Sequence, residues 1–148
     1  MLRVRLICVG KLKESFYQEA VEEYRKRLGR YCELEILELP ESGSLEKEGA
    51  LVLEKLPAGC FTVSLCVEGR LCSSEELRDL IARQMNAGVS RLCFVIGGSE
   101  GLSERVKERS DLRISLSRMT FPHHLARVIV LEQLYRAFNM MSGGKYHK

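Results

Sequence analysis

The chain has 148 residues and a formal net charge of +3, with 45% hydrophobic, 29% charged and 7% aromatic residues. At about 150 residues per domain this is one domain, 1–148, large enough to build a core without disulfides or metal. The composition excludes a disordered tail protein, a collagen and a membrane protein, and so small a net charge does not by itself announce a nucleic-acid partner.

Strands and helices alternate with little left over. Val4–Val9 is a short apolar, β-branched run that stops at Gly10 and predicts a first strand. Glu14–Leu28 predicts a helix: Tyr17, Val21, Tyr24 and Leu28 share one face, and Gly29 stops it. Cys32–Leu39 alternates apolar residues with Glu33, Glu35 and Glu38, the pattern of an edge or half-exposed strand, and Pro40 ends it. Leu45–Leu56 is a short helix closed by Pro57-Ala58-Gly59, and Phe61–Val67 is a third strand before a turn at Glu68-Gly69. Ser73-Ser74-Glu75-Glu76 has the capping-box form ahead of a helix that ends at Gly88. Leu92–Ile96 is the most apolar strand and therefore the central one, since strands buried on both faces read as unbroken hydrophobic runs. Ser103 caps a short helix to Arg109, Leu112–Leu116 is a fifth strand, and Pro122 stands early in a last helix, His123–Met141. Gly143-Gly144 then frees the tail Lys145–Lys148. The class is α/β, with a mainly parallel sheet of five to six strands and helices on both faces.

The six cysteines form no zinc pattern, and Cys8, Cys66 and Cys93 sit in apolar runs where a thiol acts as a small hydrophobe. No metal site is expected. No export signal opens the chain and no apolar stretch approaches the ~18 residues of a membrane span. Reduced thiols then indicate the cytoplasm. The charge is unevenly divided: residues 1–104 hold 14 Lys and Arg against 17 Asp and Glu, whereas residues 105–148 hold 9 against 3 and all the histidines. That asymmetry reads as a face for an anion such as nucleic acid or phosphate, or as solvated arginines.

Ligands of open α/β sheets bind beyond the carboxyl ends of the strands. Two loops stand out there. Gly97-Gly98-Ser99-Glu100-Gly101 allows close approach to a ligand but is neither a dinucleotide fingerprint nor a phosphate loop. Leu116–Pro122 carries two hydroxyls, a cation and an aromatic ring; it reads as a pocket wall or as a capping βα loop. The last helix is apolar nearly all round, which calls for a second subunit or a broad single-chain face as cover. Glu132 and Arg136 are an i,i+4 pair, and Tyr146-His147, between two lysines, suits stacking on a base and holding phosphate, or frays as a terminus.

Phe94–Leu102, Ser117–His123, Glu132–Phe138, the ending Tyr146-His147-Lys148 and the opening Val9–Lys13 together resemble the ribosomal RNA large subunit methyltransferase H family of SPOUT-class enzymes. The resemblance runs from end to end. It implies a trefoil-knotted C-terminal half, a homodimer through the C-terminal helix, and S-adenosyl-L-methionine as cofactor. It implies methylation of N3 of a pseudouridine in 23S rRNA on the assembled ribosome. Family cofactor contacts fall on Leu65, Gly97, Leu116, Ser117, Arg118, Met119, Thr120 and Phe121; the functional tail and helical arginine fall on Tyr146, His147 and Arg136. His124 stands where relatives carry other residues and is given no role. Chemistry adds the roles: His147 takes the N3 proton, Arg136 favours a developing anion and Tyr146 orients the base. Two other readings stand beside this one. A non-catalytic RNA-binding ribosome-assembly factor explains the charge division equally well. A flavodoxin-like cofactor-binding module is disfavoured because Val9–Lys13 has neither a hydroxyl-rich loop nor an acidic pair.

Overall fold

The computed structural model describes residues 1–148. Its elements are β1 (Arg3–Val9), α1 (Ser15–Leu28), β2 (Glu33–Leu39), α2 (Leu45–Lys55), β3 (Phe61–Leu71), α3 (Ser74–Asn86), β4 (Arg91–Ile96), α4 (Glu104–Arg109), β5 (Leu112–Ser115) and α5 (His123–Met141). The five strands make one parallel sheet in the order β2-β1-β4-β3-β5. The apolar run Leu92–Ile96 lies on the central strand and is buried throughout, and glutamate-rich β2 lies at an edge.

Alternation along the strands sorts the core into two layers. Val4, Leu6 and Cys8 of β1, with Leu92, Phe94 and Ile96 of β4, pack under α1, α3 and α5. Ile7, Val9 and Val95 face the other way, against Val52 of α2 and Val106 of α4. Each such large side chain contributes about 1.5–3 kcal/mol when fully buried. Helix starts are set by side chains: Ser44, Ser73 and Ser103 each accept from an amide of the first turn, and Ser73 with Glu76 completes a capping box. Each cap contributes about 1 kcal/mol. Pro122 occupies the N-cap of α5 rather than its first turn.

Two sequence expectations are corrected. The third strand does not end in a turn at Glu68-Gly69. It bulges there and resumes, so that Leu65 and Arg70 both pair with Ile114. The bulge brings Gly69 onto the β5 backbone, where a Cβ would lie 2.5 Å from the Ile114 carbonyl carbon. Nor do Gly143 and Gly144 free the tail. Gly143 turns the chain with φ +79, and the Gly144 amide donates to the Asn139 carbonyl at 2.8 Å, so the last residues run back over α5.

All six thiols are free, five of them buried. Burial pushes Cys8, Cys32 and Cys93 up to about 12, which leaves them unreactive. No helix is long and apolar enough to cross a membrane.

Candidate active site

The loop after β4 is a tight turn in which the Gly101 amide donates to the Gly98 carbonyl at 3.1 Å. Gly97 is a close approach: a Cβ there would lie 2.3 Å from the Gly101 carbonyl oxygen. Glu41, just past β2, latches the turn from outside. One of its oxygens accepts from both the amide and the hydroxyl of Ser99 at 2.9 Å, and these bonds hold its carboxyl below the usual range.

The loop after β5 is shaped by its own serines. Ser115 donates to the Ser117 carbonyl, and Ser117 Oγ accepts from the Met119 amide, both at 2.9 Å. The two loops and the end of β3 enclose a hollow of about 140 Å³. Leu65, Gly97, Leu116, Ser117, Met119, Thr120 and Phe121 all line it. Arg118 does not. A groove of about 410 Å³, walled by Leu65, Ser117 and Phe121, leads on toward Ser74 of α3 and Gln133 of α5, which hydrogen-bond to each other. A further hollow of about 760 Å³ lies beside Glu68 and Lys107. His123 also borders the first hollow. Burial, then the neighbouring His124, holds its imidazole below the ordinary value.

Arg127, one turn beyond His123, was not singled out by the sequence, although it is the one fully buried cation of α5. Its guanidinium pairs with Glu38 of β2 and donates to the Gly10 carbonyl at 3.0 Å. Glu38 in turn accepts from the Leu12 amide at 3.0 Å. Burial pushes Glu38 up, but the Leu12 and Arg127 hydrogen bonds outweigh it and its carboxyl ends below the usual range. The clamp joins the ends of β1 and β2 to the start of α5. The signal for it was an arginine in an apolar helix with no acidic residue three or four positions away.

The other predicted residues gather at the far end of α5. Arg136 donates to Glu132 at 2.7 Å and to His147 Nδ1 at 3.1 Å, and lies over the Tyr146 ring, 4.7 Å from its centroid. The Tyr146 hydroxyl donates to Glu132 at 2.7 Å. Burial and this bond to a carboxylate push the phenol well above its ordinary range. His147 Nε2 lies 3.6 Å from Glu75. Since an arginine only donates, Nδ1 is the acceptor and a neutral His147 carries its proton on Nε2. Arg136, Tyr146 and His147 border none of the three hollows. At 1.5 Å per residue, Arg136 sits roughly 20 Å along the helix from His123. No group of His, Cys, Asp and Glu here could hold a metal ion.

Comparison with known proteins matches residues 2–147 to a family model described as "Predicted SPOUT methyltransferase". Proteins named Ribosomal RNA large subunit methyltransferase H are similar over their whole length. The one from Clostridium botulinum (strain Okra / Type B1) is 45% identical over 159 residues, covering 99% of this chain and all of the relative. The one from Clostridioides difficile (strain 630) is 42% identical with the same coverage. Among solved structures, a probable methyltransferase from Bordetella pertussis Tohama I superposes with a TM-score of 0.64 at 16% identity, over 93% of this chain and 95% of that one. That likeness bears on the fold.

Proposed function

The chain belongs to the SPOUT methyltransferase family, and from that premise we propose that it is an S-adenosyl-L-methionine-dependent methyltransferase of 23S rRNA, acting on N3 of a pseudouridine in the assembled ribosome. The observation that carries the reading is the convergence of three distant segments, at residues 65, 97 and 116–121, on one hollow at the carboxyl edge of the sheet. The trefoil knot belongs to the same reading. Its support is the path from β5 at the sheet edge, through 116–122, to α5 packed with α1 and α3.

The hollow suits an adenosyl group. Leu65, Ile96, Leu116 and Phe121 offer apolar walls, while Ser117, Thr120 and the backbone of the glycine turn offer polar atoms. The cofactor, when bound, supplies an electrophilic methyl group on a sulfonium. Everything else is positioning and charge. Arg136 steadies negative charge growing on the base, and Tyr146 orients the ring. His147 takes the N3 proton, and to do so it must turn its Nδ1 out of the contact with Arg136.

The distance between hollow and tail supports a homodimer as the working unit, in which the tail of one copy serves the hollow of the other. The surface for it is α5, where Leu125, Ile129 and Met140 are only half-buried and lie outside the packed core. Incubation with labelled cofactor and ribosomes lacking the modification tests the reaction, with label expected at one pseudouridine of 23S rRNA; RNA binding without label would instead favour an assembly factor. Mixing a Gly97→Val chain with a His147→Ala chain tests the arrangement. Each is expected to be inactive alone and the mixture to recover activity. A mixture as inactive as its parts would end the two-copy scheme.

A further inference from the structure

We propose that Glu132 and Asn139 are positioning residues that fold the C-terminal tail into its working shape on its own α5, before a second copy or an RNA is met. This rests on the reading of Tyr146 and His147 as groups that face the substrate.

A set of hydrogen bonds leaves the tail little freedom. After the reversal at Gly143-Gly144, the Tyr146 amide donates to Asn139 Oδ1 at 3.1 Å. The other end of the same amide side chain donates to the Tyr31 hydroxyl at 3.2 Å, and Tyr31 stacks on Phe138 with ring centroids 6.0 Å apart. Both ends of Asn139 are thus engaged, which fixes its orientation. Gly144 fits closely against it: a Cβ there would lie 2.2 Å from Asn139 Oδ1.

Glu132 fixes the second point. One of its oxygens accepts from both Arg136 and the Tyr146 hydroxyl, and the other accepts from Gln133 at 2.7 Å. The Tyr146 ring is wedged between the Arg136 guanidinium and the edge of Tyr135, whose centroid is 4.8 Å away. Residues 132, 136 and 139 fall on the i, i+4, i+7 stripe of one helix face, so a single face of α5 addresses the whole tail. Glu132 is not a proton donor. The hydrogen bonds from Arg136 and Tyr146 outweigh its burial and hold its carboxyl below the usual range, so it does not keep a proton near neutral pH. Its part is geometric: ordering the tail during folding removes that cost from the encounter with substrate.

The test uses full-length Asn139→Ala and Glu132→Gln, with thermal melts to confirm folding. In the unmodified protein without RNA, the Tyr146 amide is expected to be protected from hydrogen exchange; in Asn139→Ala it exchanges freely. Turnover is expected to fall roughly 10–100-fold, as displacement of a reacting group by about 1 Å does, with cofactor affinity unchanged. Glu132→Gln keeps the side-chain shape and is expected to lose turnover while retaining protection at Tyr146. An unprotected Tyr146 amide in the unmodified protein would overturn the proposal, as would unchanged turnover in both variants. His147→Ala, assayed alongside, separates the two readings. Full turnover there overturns the catalytic assignment. Slow turnover there beside a fully active Asn139→Ala overturns the positioning role.

Discussion

At the start of α5 the candidate site is made of backbone: a glycine turn, a serine-shaped loop and a few apolar walls. At its end the site is made of side chains, with Glu132, Arg136, Tyr146 and His147 in one bonded group. On the proposed function, the difference reflects the target that each end would recognise. A small cofactor of constant shape can be held by a fixed hollow and a few amides. A proton transfer to or from a base needs a titratable group and a fixed charge, which only side chains supply. The two ends should therefore fail separately when altered.

His147→Ala should give the largest effect. Single-turnover methylation is expected to fall ~10²–10⁴-fold, the usual range for a lost general base, while cofactor binding by calorimetry stays as it was. Equal losses in both would merge the two ends into one site. Arg127→Met comes next and concerns the clamp beside the hollow. It leaves Glu38 without its charge partner, a change that typically costs about 3–5 kcal/mol at buried pairs; because Glu38 is partly exposed, the lower part of that range is expected in urea unfolding. Adding Glu38→Gln should restore part of the loss, and an unrestored double variant would show that packing rather than charge holds the clamp. The smallest effect is pH dependence at His123. Burial lowers its folded pKa, so the unfolded chain binds the proton more readily. Its contribution is complete above about 6.5, the unperturbed value, and is lost as pH falls from there through the lowered folded value. Glu38, Glu41 and Glu132 are shifted down as well, so their contribution is complete above the usual carboxylate range, starts to be lost as pH falls into that range, and is gone once pH is below their lowered folded values. Melting temperatures between pH 7.5 and 5.5 should fall for the unmodified chain and flatten in His123→Gln.

Much of this was legible in the amino-acid order. The unbroken run Leu92–Ile96 announced a central strand, the glutamate alternation of 33–38 announced an edge, and Ser73 and Glu76 announced a helix start. Those signals are local, set by period and by caps. The two loops were picked out by composition and do meet at one hollow. The hidden features depend on residues far apart in the chain. The Gly69 bulge exists because Ile114 lies against it, and Glu68-Gly69 alone looks like any turn. Gly143-Gly144 looks like a hinge until Asn139, itself braced by Tyr31, takes hold of Tyr146. Arg127 looks like a surface charge until Glu38 and Gly10 close around it.

The borders of the sheet carry a last consequence. One border strand, β2, bears Glu33, Glu35 and Glu38, the first two paired with Arg3 and Arg5 of its neighbour. The other, β5, has only four residues. A charged border and a stunted one are poor templates for adding a foreign strand. The chain is thereby guarded against fibrous, edge-to-edge growth, which leaves the proposed pairing of two copies to the helices.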